Sequence, residues 1–181
     1  LSALEHPALV RILDCGVHAG RFFYAMEFVA GRDLDVELGE APRDLRARVA
    51  LLARVAHAVA AAHQRGVLHR DLKPSNIRID EQGEPRLVDF GLARWLRADA
   101  QGPRTLTEAG DFVGSAPWAS PEQVAGEPID ARSDVYSLGV VAYQAFTGLF
   151  PYPADGPLAR IFEASRTARP RDARRAAREI D

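Results

Sequence analysis

The chain has 181 residues, of which 47% are apolar and 27% charged, and its formal net charge is −2. That is an ordinary globular balance, and so small a charge gives no electrostatic case for nucleic acid or an anionic membrane surface. The single cysteine, Cys15, cannot form an internal disulfide, and no apolar run reaches the ~18 residues that span a bilayer.

In chain order, residues 1–5 read as a helix end that His6-Pro7 interrupts. The chain opens on Leu1 without a secretory leader and reads as a fragment. The apolar, β-prone runs "ALVRILDCGV" and "RFFYAMEFV", separated by a short Gly-containing turn, predict an antiparallel hairpin. "AGRDLDVELGEAP" reads as a polar connection, the first candidate boundary between a small sheet and a helical body. Over residues 43–65, Leu45, Val49, Leu52, Ala56 and Val59 recur at steps of four and three, and Gly66 supplies a stop.

Beyond Gly66, "VLH", "IRID", the turn "EQGE" and "PRLVDF" predict short strands around a tight loop. Residues 92–116 lack periodicity and are rich in Gly, Pro, Thr and Asp, as in a long functional loop. "DVYSLGVVAYQAFTG" is apolar nearly all round and reads as a buried helix stopping at Gly148. "GPLARIFEAS" predicts a short amphipathic helix, and the arginines of the charged tail a solvated helix face.

The stretch "HRDLKPSN", residues 69–76, holds the only lysine of the chain, Lys73, where every other long basic residue is arginine. Asp71, Lys73 and Asn76 share this loop, and Asp89 ends a strand thirteen residues after Asn76. A hairpin over residues 77–88 would bring Asn76 and Asp89 together, and two such oxygen donors suit a hard cation such as Mg²⁺ that takes its other ligands from water and phosphate. Asp71 would stand beside that metal, able to orient a hydroxyl.

"HRDLKPSN", "DFG" at 89–91, "SPE" at 120–122 and "DVYSLGV" at 134–140 follow one another as in the eukaryotic-type (Hanks-type) Ser/Thr protein kinases, which the chain resembles. Its Ala/Arg bias and its "SPEQ" resemble a bacterial member. The resemblance implies an α+β, protein-kinase-like two-lobe fold, with residues 1–29 ending the small β-rich lobe and 30–181 forming most of the helical lobe. It implies transfer of the γ-phosphate of ATP, with Mg²⁺ or Mn²⁺, to Ser or Thr of protein substrates.

By the same resemblance Asp71 is the base that accepts the substrate hydroxyl proton, Asp89 the principal metal ligand and Asn76 the second. Lys73 approaches the γ-phosphate as a compact, mobile cation, and Ser115 bridges Asp71 and Lys73. Met26 matches the gatekeeper, Glu27 to Val29 the adenine-binding hinge with Phe22, Phe23 and Phe28 nearby, and Asp33 an acid at the ribose. Arg78 stands where the family lays an aliphatic side chain under adenine; its stem is expected there with its head in water. Ile12, His69, Phe90 and Leu1 match the stack linking the lobes, and Asp134 the acid that braces the catalytic loop.

Arg70 implies an activation loop set by an anion, with Asp111 in the phosphate's place and Thr105 and Thr107 as phosphosites. Glu122 is expected to be unpaired, since the family's arginine partner would lie beyond the chain. Trp118 and Ser75 argue against a strong preference for arginine-flanked sites, and His57 and His63 read as surface or packing residues. The Gly-rich loop, strand lysine and helix glutamate would precede Leu1, so residues 1–181 alone are expected to bind ATP weakly and to turn over inefficiently. A pseudokinase module and a small-molecule phosphotransferase are the other readings; "GSAPWASPE" argues against the second. A cytoplasmic site is expected, with room for a membrane anchor elsewhere in the full-length protein.

Overall fold

The computed structural model describes residues 6–19, 21–40, 44–90 and 114–176, so Leu1, Thr105, Thr107 and Asp111 lie outside the described residues. Within them, β1 (Ile12–His18) and β2 (Arg21–Met26) form the expected antiparallel hairpin, with an irregularity between Ile12 and Asp14. A second sheet runs β3 (Gly31–Asp33), β4 (Ile77–Asp80) and β5 (Pro85–Leu87), all antiparallel. Alternation sets its faces: Ile77, Ile79, Pro85 and Leu87 are buried, while Arg78, Asp80 and Arg86 point away from the core. Leu87 also takes the segment before β1 as a parallel neighbour, donating to Ala8 C=O at 2.7 Å and accepting from Val10 N–H at 3.0 Å.

The polar connection expected after the hairpin is instead β3 followed by the helix α1 (Leu34–Glu40). Its spacing explains the difference: Leu34 is buried and Leu38 packs beside it on the core, while Asp35 and Glu37 sit favourably in the first turn. Gly31, at φ +142°, allows β3 to lie so close to β4 that an added Cβ would come 2.0 Å from Ile79 C=O.

Helix α2 (Leu45–His63) is capped by Asp44, which accepts from Ala47 N–H at 2.7 Å, and the chain reverses at Gly66, φ +73°. Its buried face is Leu51, Leu52, Val55, Ala58, Val59 and Ala62, so the stripe read from Leu45 and Val49 is displaced. Those two stay exposed because the helix packs on β5 and on α4 (Ala131–Thr147) through its later turns. Helix α4 stops at Gly148, as expected, but starts earlier, at the cap Asp130, and only one face is buried: Ser133, Asp134, Ser137, Val140, Val141 and Ala145 are covered, and Val135 is exposed.

Before α4 lies α3 (Pro121–Ala125), and after it come α5 (Leu158–Thr167), whose Ile161 packs on Ala116 and Ala119, and the short α6 (Ala173–Ala176) with exposed Arg174 and Arg175. No helix among the described residues is long and apolar enough to cross a membrane.

Candidate active site

The loop between α2 and β4 is pinned by four of its residues. His69, Leu72, Pro74 and Asn76 are buried, which leaves Arg70, Asp71 and Lys73 on the partly open side. Arg70 (φ +68°) and Asp89 (φ +56°) hold left-handed backbone without being glycine. Such positions cost about 1–3 kcal/mol each and persist only where surrounding bonds impose them.

At Arg70 those bonds are explicit. Asp134, buried on α4, accepts from Arg70 N–H at 2.8 Å through Oδ1 and from His69 N–H at 2.7 Å through Oδ2. His63 Nε2 lies 2.7 Å from the same Oδ2, so this histidine is the carboxylate's partner and not the surface or packing residue expected of it. From the other side Gln123 Nε2 donates to Arg70 C=O at 2.7 Å, while its Oε1 accepts from Ser120 N–H at 3.0 Å in the capping box of α3. Both peptide groups of the strained residue are thereby held.

Asn76 Nδ2 donates to Asp71 C=O at 2.7 Å and to Asp71 Oδ2 at 3.1 Å. Lys73 Nζ lies 3.2 Å from Asp71 Oδ2 and donates to Ser115 Oγ at 2.7 Å. The ammonium, with three donors, thus links carboxylate and hydroxyl, where the expectation had set the hydroxyl between the other two.

Val88 N–H donates to Asn76 C=O at 3.0 Å, so the β4–β5 hairpin brings Asp89 beside the loop as its sequence predicted. Neither Asn76 Oδ1 nor Asp89 Oδ2 takes part in these bonds. A carboxylate and an amide oxygen fit a hard divalent cation that keeps waters and phosphate oxygens as its other ligands. No group of three or more His, Cys, Asp or Glu able to hold a metal alone occurs among the described residues.

Asp89 Oδ1 accepts from the phenol of Tyr24 on β2. Burial, then the hydrogen bond and charge of Asp89 and the charge of Asp71, raise the Tyr24 pKa, which keeps the phenol a donor. A lone polar aromatic within an apolar strand was the only sequence signal for this contact.

His69 stacks on Phe90 with ring centroids 4.7 Å apart. Burial pushes its imidazole pKa down, against the charges of Asp134, Asp71 and Asp89, which act upward. A folded state that keeps His69 neutral refuses a proton that the unfolded chain accepts below its ordinary pKa of 6.5, so stability falls as pH drops through that value and is complete above it. Melting curves from pH 7.5 to 5 are expected to show a smaller acid-side loss for His69→Phe than for the wild type; parallel curves would count against a neutral buried imidazole.

Around the expected nucleotide cleft, Met26, Glu27 and Phe28 are exposed and Val29 is buried. The Arg78 head is only partly in water and is held by protein acceptors: Nε donates to Val29 C=O at 3.1 Å, Nη1 to Asp33 Oδ1 at 2.8 Å and Nη2 to Gly31 C=O. The guanidinium finds three acceptors at the end of the hinge because β3 lies against β4. Glu122, expected to lack the family's arginine, takes a bond from a hydroxyl instead: Ser133 on α4 donates to Oε1 at 2.5 Å. Burial acts upward on the Glu122 carboxyl, yet the bond from Ser133 and a backbone bond bring its pKa below the usual value.

Gln123 was missed, although Ser120 three residues earlier is capping-box spacing that could have marked it. Gln123→Leu is expected to leave Arg70 C=O without its buried donor, lowering stability by about 1–3 kcal/mol in denaturant titration. Unchanged stability would mean that water replaces the amide.

The loop carboxylate beside a lysine, the neighbouring Asn and Asp oxygens, and a helical body below a small strand-rich region define a protein kinase of two-lobe fold. The protein kinase domain family matches residues 1–175, and the chain belongs to it. It is 41% identical over 165 residues to serine/threonine-protein kinase pkn2 of Myxococcus xanthus, covering 90% of this chain and 19% of that protein. With pkn3 of the same organism the identity is 42% over 160 residues, covering 85% of the chain and 29% of the relative. With PknB of Mycobacterium tuberculosis it is 38% over 167 residues, covering 90% and 26%. The chain thus spans between 19% and 29% of the length of these relatives.

Proposed function

We propose that the protein transfers the γ-phosphate of ATP to serine or threonine hydroxyls of protein substrates. The observation that carries this reading is the junction at which Lys73 reaches both Asp71, at 3.2 Å, and Ser115, at 2.7 Å, beside Asn76 and Asp89. Family membership implies ATP and a divalent cation. Asp89 and Asn76 would hold that cation, which supplies neutralisation of phosphate charge, with Mg²⁺ the expected ion and Mn²⁺ a substitute. Asp71 accepts the hydroxyl proton, and Lys73 offsets charge on the transferred group.

Residues 1–29 are read as the end of the small lobe and 30–181 as most of the helical lobe, with adenine at the Glu27 to Val29 hinge behind Met26. Arg70 and Glu122 take regulatory roles toward the activation segment, and this part of the protein works in the cytoplasm, with or without a membrane anchor elsewhere in the full-length protein. The pseudokinase reading has no observation in its favour.

The test is incubation of the full-length protein with radiolabelled ATP, a divalent cation and a mixed protein substrate, followed by phosphoamino-acid analysis. Label on serine or threonine is expected; label confined to tyrosine, or none under conditions in which MgATP binds, would overturn the proposal.

A further inference from the structure

Asp33 on β3 stands directly opposite Arg78 on β4 in the antiparallel register. Ile77 and Ile79 point into the core, so the two-residue period puts Arg78 on the other face, the face of Asp33 and the hinge. There the guanidinium uses three donor positions at once: Nε on Val29 C=O at 3.1 Å, Nη1 on Asp33 Oδ1 at 2.8 Å and Nη2 on Gly31 C=O. A planar fork held at three points has little freedom to leave any one of them. Both side chains are partly shielded, Arg78 at 29% exposure and Asp33 at 35%.

This arrangement changes what a sugar would meet. A site discriminates strongly for a hydroxyl when the analogue lacking it leaves a polar group of the site unpaired. A free carboxylate at Asp33 would be such a group, and its charge would also strengthen the bond it accepted. Paired with Arg78, the carboxylate has its charge matched before any nucleotide arrives and is not left unpaired when a hydroxyl is missing.

We infer that Arg78 is the residue that sets nucleotide specificity at the sugar end of the cleft. By neutralising Asp33 and holding the carbonyls of Val29 and Gly31, it makes the site nearly indifferent to the 2′-hydroxyl, so that 2′-deoxyATP binds almost as well as ATP. The inference rests on the reading that the hinge of this chain takes ATP.

The test is calorimetric titration of the full-length protein with the Mg²⁺ complexes of ATP and 2′-deoxyATP. In the wild type the two dissociation constants are expected to lie within about threefold of each other. Arg78→Leu frees Asp33 and is expected to widen the preference for ATP to about tenfold, since the hydroxyl then meets an unpaired carboxylate. Arg78→Gln, which lacks the charge but can still reach a hinge carbonyl, is expected to act in the same direction if the leucine variant does not fold. Adding Asp33→Asn to either variant should bring the ratio back toward the wild-type value. The ratio is the readout because a change in the floor under the base alters both nucleotides alike.

A wild type that prefers ATP tenfold or more, or a ratio unchanged in the Arg78 variants, overturns the inference while leaving an ATP site in place. Failure of the wild type to bind either nucleotide overturns the reading of the cleft and the inference with it.

Discussion

Asp71→Asn in the full-length protein is expected to lower kcat by about 10²–10⁴-fold, the usual range for removing a general base, while the KM for ATP changes little. The geometry gives the reason for this split. Asp71 Oδ2 is the atom that Lys73 and Asn76 Nδ2 approach, at 3.2 and 3.1 Å, so the carboxylate is oriented by two donors before a hydroxyl arrives. The amide of asparagine is nearly isosteric and can keep a bond from either donor, but it cannot accept a proton at neutral pH. Fold and nucleotide binding should therefore survive where turnover does not. Initial rates with a protein substrate, alongside calorimetric MgATP binding, check both halves; loss of less than fivefold in kcat would remove Asp71 from the role of base.

The second large effect is on stability. Asp134→Ala removes the acceptor of His69 N–H, Arg70 N–H and His63 at once, in a place where the carboxylate is 1% exposed. Two backbone donors, one buried and one part-buried, lose this partner, each costing about 1–3 kcal/mol, so a loss of about 2–6 kcal/mol is expected. That is a large part of the 5–15 kcal/mol typical of a folded domain. Asp134→Asn keeps one acceptor oxygen and turns an NH₂ toward a donor, so it should fall between the two. Denaturant titration of the three proteins gives the ranking. Equal stability of the alanine variant and the wild type would show that the left-handed Arg70 backbone is held by Gln123 and the surrounding core alone.

Much of the site was legible because it is local. Asp71, Lys73 and Asn76 lie within one loop, and Asp89 is reached by a hairpin whose alternation of Ile77, Ile79 and Leu87 with Arg78 and Arg86 could be read directly. Period and punctuation also located α2, α4 and α5, with stops at Gly66 and Gly148, while the caps Asp44 and Asp130 came from the structure. Other parts were not legible in the same way. The face of α2 that is buried was misjudged because Leu45 and Val49 are apolar, yet nothing among the described residues packs over them as β5 and α4 pack over the later turns. The segment after the hinge was read as a connection because three strand residues and a short helix are too few to show a period.

The side-chain partners divide along the same line. By itself the sequence determined the chemical groups of the site and their order, because motif residues close along the chain must also be close in space. Only the tertiary structure decided which groups those residues are bonded to. His63 meets Asp134 across 71 positions, Tyr24 meets Asp89 across 65, and Gln123 meets Arg70 across 53. Arg78 shows the point most sharply: its identity suggested a stem under a base with its charge in water. The register of β3 against β4 placed it opposite Asp33 and within reach of the carbonyls of Val29 in the hinge and Gly31 in β3, where a guanidinium gains more from three fixed acceptors than from solvent.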